Sequence, residues 1–294
     1  KDIAGATIRS NAGVLTSAKT GELFYDSTNL NFSYRFPNTT SAGAWRTGGN
    51  LNTAREQHAG NGSQTSALAT GGLTSTEVAV SESYNGATWS EGNDLNAAKR
   101  THASTGNDTT SAIAFGGDSG TGVVATAESY NGTSFTEVGN LNTARKGLTG
   151  AGASNTSALA IGGEDATVDV AVVEAWNGTA WTEVGDLNTA RGQLSGCGTT
   201  TSALAYSGLI SPNTNSALSE SWDGSSWTEV GDMNTARYET GRAGESNTSA
   251  LVFGGTTGSL QVLTEQWDGS SWTEVANLGT ARSGMGGSGT KFLA

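Results

Sequence analysis

Apolar and polar residues alternate in short runs along most of this chain, and glycine pairs or turn-forming residues separate the runs. One representative stretch has four such runs in succession, at residues 147–153, 157–161, 170–176 and 180–184. Alternation with a period of two predicts short β-strands. No segment keeps a helical period, and glycine disfavours helices. The chain is therefore expected to be all-β.

The four-strand pattern is repeated along the chain. Each copy pairs an aromatic residue with the phrase Leu-Asn-Thr-Ala-Arg or a close variant of it. The aromatics recur every 44 to 46 residues, at Trp45, Trp89, Phe135, Trp181, Trp227 and Trp272, and the phrases end at Arg55, Lys99, Arg145, Arg191, Arg237 and Arg282. Such spacing predicts one structural unit used repeatedly. Because a four-stranded sheet cannot bury both of its faces alone, ring packing into a β-propeller is expected.

A turn signal stands between the third and fourth runs of five copies. The pairs are Asn85-Gly86, Asn131-Gly132, Asn177-Gly178, Asp223-Gly224 and Asp268-Gly269. These residues tolerate the positive φ that both positions of a type I′ turn require, so two-residue hairpins are predicted. Aromatic residues flank each pair, for example Trp176 and Trp181, and are expected to pack between neighbouring sheets.

The ends of the repeated region predict how the ring closes. The chain enters at the end of a copy, at Trp45, and residues 283–294 match only the first two strands of a copy. We therefore expect a six-bladed propeller with four antiparallel strands per blade. The N- and C-terminal strands would share one blade, because neither end supplies a whole one.

The first part of the chain does not follow the repeat. Residues 1–29 are expected to be an N-terminal connector, with a strand and turn at 21–26, and the propeller is expected over residues 30–294. Phe32, Tyr34 and Phe36 are the nearest substitutes for the third-strand aromatic that the shared blade lacks at its usual position, so a longer hairpin is expected there. The connector is the segment through which we would expect an oligomer to form.

Charge and composition narrow the classes of partner. The net charge is −12, from 27 acidic and 15 basic residues, and no basic stripe offsets it. Nucleic acid and anionic membranes are therefore not expected partners. No apolar run approaches the roughly 20 residues of a membrane span, so no membrane insertion is expected. Cys197 is the single cysteine, which rules out an internal disulfide and favours a small buried side chain.

The residue types needed for catalysis are few. The two histidines, His58 and His102, occupy a repeat position that holds Leu, Thr or Met in the other copies, which favours packing over catalysis. No cluster of Cys and His and no Asp-rich loop predicts a metal site. The chain has neither a phosphate-binding loop nor a nucleophile elbow. We therefore expect no cofactor, no metal and no enzymatic activity.

One glutamate occurs in each complete copy, two residues before the third-strand aromatic: Glu82, Glu128, Glu174, Glu220 and Glu265. Paired carboxylates are also typical of acid–base catalysis. A feature that recurs in every copy is more often structural, however, since a catalytic site breaks the symmetry. With one basic residue per copy, a ladder of structural Glu–Arg or Glu–Lys ion pairs is expected.

Arg242 breaks the repeat in the first strand, where the equivalent positions hold Gly60, Ser104, Gly150, Gly196 and Gly287. One interpretation is a packing variant whose charge meets Glu239 or Glu245. The other is a ligand-binding site in which Arg242 joins Arg55, Arg145, Arg191, Arg237 and Arg282 in a cationic rim. Such a rim would suit a carboxylated sugar or an acidic side chain, because guanidinium presents a planar fork to a carboxylate.

The order of motifs resembles the kelch repeat. A glycine doublet follows the second strand, an aromatic lies on the third and a tryptophan on the fourth; the doublets are Gly71-Gly72, Gly116-Gly117, Gly162-Gly163 and Gly254-Gly255, with Ser207-Gly208 as the departure. A tryptophan–aspartate repeat is disfavoured because its Gly-His partner motif is missing. The loops after the doublets differ in every copy, which is expected where loops carry function, although free drift explains it equally.

The wording of the repeats is similar to kelch-like repeats of tail-fibre and other structural proteins of bacteriophages, notably marine ones. That resemblance implies a non-catalytic module on the virion surface, as tail fibre or capsid decoration, in an extracellular setting. Its expected partners are a host surface glycan or protein and other virion proteins. The alternatives are a secreted carbohydrate-active kelch enzyme and an intracellular kelch adaptor for protein–protein interaction.

Overall fold

The computed structural model describes residues 9–11, 23–26, 31–34 and 45–289. The chain divides into two compact units, residues 1–43 with 293–294 and residues 44–292. The described part of the first unit is a three-stranded sheet of β1 (Arg9–Asn11), β2 (Leu23–Asp26) and β3 (Asn31–Tyr34), in that order. β2 lies within the strand predicted at 21–26. It pairs in parallel with β1 and antiparallel with β3.

The second unit contains five four-stranded antiparallel sheets among its described residues. Blade 1 consists of β4 (Ala59–Ser63), β5 (Ser66–Thr70), β6 (Ser81–Tyr84) and β7 (Trp89–Glu91). Blade 2 consists of β8 (Ala103–Thr105), β9 (Ala112–Phe115), β10 (Ala127–Tyr130) and β11 (Phe135–Val138). Blade 3 consists of β12 (Thr149–Ser154), β13 (Ser157–Ile161), β14 (Val173–Trp176) and β15 (Trp181–Glu183).

The last two blades have the same strand order. Blade 4 consists of β16 (Ser195–Thr199), β17 (Ser202–Tyr206), β20 (Ser219–Trp222) and β21 (Trp227–Val230), with a small hairpin of β18 (Leu209–Ile210) and β19 (Thr214–Asn215) inserted after its second strand. Blade 5 consists of β22 (Gly241–Ser246), β23 (Ser249–Phe253), β24 (Thr264–Trp267) and β25 (Trp272–Glu274). The described residues contain no helix. The predicted all-β propeller with four-stranded blades is confirmed.

The predicted number of six blades is wrong, since the described residues form five. One physical reason is the pairing of β3, which contains Phe32 and Tyr34. This strand, expected in the shared blade, pairs instead with β2 in the first unit. The described residues 45–50 and 283–289 belong to no strand. The second C-terminal strand, expected at residues 291–294, lies outside the described residues.

The segments on either side of the five blades still contact them in the manner of the repeat. The indole Nε1 of Trp45 donates to the backbone oxygen of Ala276 at 3.0 Å, and its ring lies 4.8 Å from Phe253 of blade 5, edge to face. Trp272 lies 5.0 Å from Tyr206 of the preceding blade with a similar edge-to-face geometry. Trp45 therefore takes the place of a fourth-strand aromatic next to blade 5.

Aromatic pairs and small residues fill the core between the blades. Across each hairpin the two ring centroids lie 4.6 to 5.6 Å apart, as for Trp176 and Trp181 at 5.4 Å. The second strands are buried almost completely; Ala158, Leu159 and Ala160 are at most 1% exposed. Burying a large apolar side chain contributes about 1.5–3 kcal/mol. Phe115 of blade 2 also lies 4.9 Å from Trp181 of blade 3, so the aromatic layer holds neighbouring sheets together.

The hairpins differ from the predicted two-residue type I′ turns. β14 ends at Trp176 and β15 begins at Trp181, so four residues connect them. Gly178 has a positive φ of 92°, whereas Asn177 is not among the positive-φ residues. The Oδ1 atom of Asn177 instead accepts hydrogen bonds from the backbone N–H groups of Thr179 and Ala180, both at 2.9 Å. Asn and Asp are used here as side-chain acceptors that fold the turn.

Candidate functional site

The repeated basic and acidic residues form buried ion pairs inside each blade. Arg145 Nη1 lies 2.6 Å from Glu174 Oε1, and both side chains have no exposed surface. Lys99 and Glu128 are 3.0 Å apart. Arg191 and Glu220 are 2.9 Å apart, Arg237 and Glu265 are 2.5 Å apart, and Arg55 pairs with Glu82. Each pair joins the loop before a first strand to the third strand of the same blade.

The asparagine of the repeated phrase completes the carboxylate's hydrogen bonds. The backbone N–H and the side-chain Nδ2 of Asn142 donate to Glu174 Oε2 at 2.7 and 2.8 Å. Nδ2 also donates to the backbone oxygen of Trp181 at 3.2 Å. The same contacts recur in blades 2, 4 and 5. Both glutamate oxygens are therefore occupied within the blade.

These contacts decide the position of the predicted cationic rim. The side chains of Arg55, Arg145, Arg191 and Arg237 have no exposed surface, so the structure does not bring them to a surface that a ligand can touch. Arg282 is exposed. It forms no ion pair with any residue in the described ranges. The six predicted ligand-binding arginines, of which Arg242 is one, do not form one site.

The two histidines lie between neighbouring blades. His102 Nε2 is 3.0 Å from Thr70 Oγ1 of blade 1, and His58 Nε2 accepts the backbone N–H of Gly286 at 3.3 Å. Burial lowers the pKa of His58 to about 4, with the charge of Arg55 as the second cause. Burial also lowers the pKa of His102 well below its ordinary value. Both side chains are therefore neutral packing residues at pH 7.

A ring of backbone hydrogen bonds surrounds one mouth of the central channel. Its six members share a positive φ of 50 to 60°: Gln57, Thr101, Gly147, Gln193, Glu239 and Gly284. Each member follows a repeat cation by two residues. Thr101 N–H donates to Gln57 O at 2.9 Å, and Gly284 N–H donates to Glu239 O at 3.1 Å. We call this set the mouth ring. Gly284 lies in the C-terminal segment, so the ring continues between blade 5 and blade 1.

The loops after the second strands surround the mouth ring. They comprise residues 73–79, 118–125, 164–171, 209–217 and 256–262, and together with the mouth ring we call them the front face. A depression of about 140 Å³ contains ring members together with Asp118 and Glu164 from two of these loops. The loops and the ring therefore form one continuous surface.

Charged residues occupy one half of the front face. Arg100 Nε lies 3.2 Å from Glu77 Oε1, and its Nη2 lies 3.7 Å from Asp118 Oδ2. Lys146 Nζ approaches the same Asp118 oxygen at 3.3 Å. Burial raises the pKa of Asp118, but the N–H of Gly120 and the two cations outweigh it and lower the pKa. The network crosses from blade 1 to blade 3.

The part of the front face at blades 4 and 5 combines apolar and aromatic groups with the polar side chains of Asn213, Asn215 and Thr257. A groove of about 660 Å³ lies between the loops of blades 4 and 5, with Leu209, Tyr238 and Gly258 on its walls. Two exposed apolar side chains stand at loop tips of different blades: Val168 in the loop of blade 3 is 50% exposed, and Leu260 in the loop of blade 5 is 57% exposed.

The sequence did not single out Arg100, Asp118 or Lys146. The signal that could have found them is their place in the copy. Arg100 and Lys146 directly follow a repeat cation, and Asp118 directly follows a glycine doublet. The position after the cation holds a different residue type in each of the five blades, and the position after the doublet varies as well, with Leu in blades 1 and 4. The residues that directly follow the fixed motifs therefore indicate the front face, whereas the motif cations themselves are buried inside the blades.

The second open region is the central channel, which is lined by the first strands of the five blades and by residues 287–289. Its cavity measures about 290 Å³. The side chain of Arg242 crosses it: Nη2 donates to the backbone oxygen of Ser104 at 3.1 Å, and Nη1 donates to Thr149 Oγ1. Neither Glu239 nor Glu245 is its partner. Cys197, also on the wall, is buried, and burial raises its pKa to about 12.

The described residues contain no group of three metal-ligating side chains. In the same part of the chain, no helix is long and apolar enough to cross a membrane. No protein-family model and no curated protein sequence matches the chain.

Proposed function

We propose that this chain is a non-catalytic binding module that recognises its partner through the front face. The observation that carries the proposal is the division between a uniform scaffold and a divergent surface. The ion pairs and aromatic pairs are nearly identical in every blade, whereas the loops of the front face differ in sequence from one blade to the next. Function is commonly carried on loops held by a rigid scaffold.

The chemistry of the front face favours a mixed polar and apolar contact. The charged half presents the partly exposed cations Arg100 and Lys146, whose side chains are 31% and 30% exposed. The other half presents Leu260 and the Tyr238 groove. A planar guanidinium suits hydrogen bonding to sugar carboxylates or acidic side chains, and aromatic and aliphatic groups suit sugar faces or protein side chains. A host surface glycan or protein fits this combination.

The finer part of the proposal rests on the sequence resemblance. The glycine doublets and hairpin tryptophans resemble kelch repeats, and the wording of the repeats is similar to that of bacteriophage tail-fibre proteins. We infer a kelch-type propeller on the virion surface, acting as tail fibre or capsid decoration in contact with other virion proteins. Trp45 and the mouth-ring member Gly284 continue the contacts of the repeat beyond the five blades.

The test is a binding comparison between faces. A Val168→Asp, Leu260→Asp double variant changes exposed front-face residues, and a Thr136→Asp, Thr182→Asp double variant adds the same charge to exposed fourth-strand residues. Both are scored on a glycan array and by adsorption of labelled protein to bacterial cells. We expect the front-face variant alone to lose binding. Equal loss in both variants, or loss only in the control, would overturn the proposal.

A further inference from the structure

Arg242 occupies a position at which the chain otherwise places glycine or serine, in the strand next to the channel. Its side chain therefore enters space that small residues leave open in the other blades. From β22 it reaches across to β8 and β12, which belong to blades 2 and 3. A single long cation thus occupies a channel whose walls are mostly glycine, serine and threonine.

The hydrogen bonds of this guanidinium are incomplete. Of its five N–H groups, Nη1 donates to Thr149 Oγ1 and, at 3.4 Å, to Gly150 O, while Nη2 donates once, to Ser104 O at 3.1 Å. Within the described residues the Nε–H and the second N–H of Nη2 have no acceptor. Nε and Nη2 lie along one edge of the guanidinium, and the fork geometry of that edge can receive both oxygens of a carboxylate.

The charge of Arg242 also lacks a partner. Every repeat cation inside a blade faces a glutamate, but Arg242 forms no ion pair in the described part of the chain. Burial lowers the pKa of Arg242, although a guanidinium stays protonated in proteins. Arg242 is half-buried on the wall of the channel, so its charge is only partly hydrated and has no counter-charge beside it. A bound anion would supply that counter-charge.

We propose that the channel cavity next to Arg242 binds a small ligand carrying a carboxylate, which occupies the free edge of the guanidinium. The cavity of about 290 Å³ also presents polar side chains from Asn61, Thr105 and Thr199. These groups would serve the hydroxyls of a sugar acid. This site lies between the first strands, whereas the front face consists of loops, so the two proposals stand independently.

Glu245 is the one carboxylate on the cavity wall that the structure describes. It lies three residues after Arg242 in β22 and is exposed. Its like charge opposes an anionic ligand. Removing it by Glu245→Gln should therefore tighten binding severalfold at low ionic strength, because screening by salt weakens the repulsion.

The test measures binding of three probes by calorimetry and by backbone NMR chemical shifts: D-glucuronate, D-glucose and acetate. We expect glucuronate and acetate to bind and glucose not to bind. Glucuronate stronger than acetate identifies a sugar acid, and equal affinity identifies the carboxylate alone. The shifts on the parent protein should centre on residues 60–63, 104–107 and 196–199. Chemical-shift changes confined to the front face, or no changes at all, would overturn the proposal. Because this measurement uses the parent protein, it does not depend on whether a variant folds.

Two variants separate charge from geometry. Arg242→Ser, which copies blade 2, should weaken acetate binding at least about tenfold, since a hydrogen bond between charged groups is lost. Arg242→Lys should weaken it by a smaller factor, because an ammonium keeps the charge without the planar fork. Arg100→Ser is the matched control, as it removes the same charge from the front face. Unchanged acetate affinity in Arg242→Ser, or an equal loss of acetate affinity in Arg100→Ser, would contradict the proposal.

Discussion

Two arginines end nearly identical phrases in this chain and lie in opposite surroundings. Arg145 follows Leu-Asn-Thr-Ala and is buried completely against Glu174 and the backbone oxygen of Ala160. Arg282 follows Leu-Gly-Thr-Ala and is exposed. The difference lies in the residues that face each arginine. Blade 3 supplies a third-strand glutamate and a phrase asparagine, whereas the position of Arg282 has Gly279 in place of asparagine and no facing glutamate among the described residues.

The comparison shows that the phrase is one half of a two-part structure. The loop supplies a cation and an amide, and the third strand of the same blade supplies the carboxylate that they share. Either half alone leaves polar groups without partners. Phrase and glutamate therefore act together, and the arginine in the repeat is not by itself a sign of binding or of burial.

The largest expected effect comes from removing the carboxylate in a complete blade. Glu174→Ala leaves Arg145 buried without its counter-charge, which typically costs about 3–5 kcal/mol. Urea unfolding followed by tryptophan fluorescence measures the loss. Glu183→Ala, which removes an exposed glutamate of β15, is the control and should change the free energy of unfolding by less than about 0.5 kcal/mol. Equal effects of the two substitutions would contradict a buried pair.

The aromatic residues sharpen the same comparison. Trp272 is 6% exposed and Trp45 is 40% exposed. Each nevertheless packs against an aromatic ring of a neighbouring blade, Trp272 against Tyr206 of blade 4 and Trp45 against Phe253 of blade 5. Trp272→Ala should cost about 3–5 kcal/mol, as expected for a buried large side chain. Trp45→Ala should cost less than half of that, because more of its ring is already in water. A larger loss at Trp45 would mean that the contact next to Phe253 controls the stability of the whole ring.

The histidines make stability depend on pH. Their pKa values are lowered in the folded protein, that of His58 to about 4, so the unfolded chain binds more protons between about pH 4 and pH 6.5. Stability is complete above the unfolded pKa and is lost as the pH falls through this window. The melting temperature should therefore drop between pH 7 and pH 5.

Leucine occupies the histidine position in blades 3 and 4, at Leu148 and Leu194. A His58→Leu, His102→Leu double variant should consequently flatten the drop in melting temperature, by an amount on the order of 1–3 kcal/mol in stability. Thermal melts of parent and variant at pH 7 and pH 5 measure it. The same drop in both proteins would assign the pH dependence to the carboxylates.

The smallest effect is expected at the exposed member of the comparison. Arg282→Ser removes an exposed arginine without an ion pair in the described ranges and should leave the free energy of unfolding within about 0.5 kcal/mol of the parent. The same urea experiment as for Glu174→Ala measures it. A loss of several kcal/mol would contradict an exposed arginine without a counter-charge.

Several features followed from the sequence with little ambiguity. Short alternating runs predicted the strands of blade 3 to within a few residues, because a period of two reflects one buried face. The fixed spacing of Trp181, Trp227 and Trp272 predicted one repeated blade. The type of turn was harder to predict from the sequence, because Asn177-Gly178 suits both a type I′ turn and the four-residue loop that forms. Local preference permits both, and the side-chain hydrogen bonds of Asn177 decide.

The sequence by itself determined the class of fold and the composition of each blade, because those depend on contacts within one copy. Tertiary structure alone decided the blade count and the exposed chemistry. β3 pairs with β2 although its aromatics suited a blade, since strand pairing depends on which edge is within reach. Likewise, the sequence allowed the repeat arginines to form a surface rim, but in the folded protein they are buried against their glutamates. The sequence also left the position of Arg242 open, and its hydrogen bonds to strands of blades 2 and 3 place it in the channel.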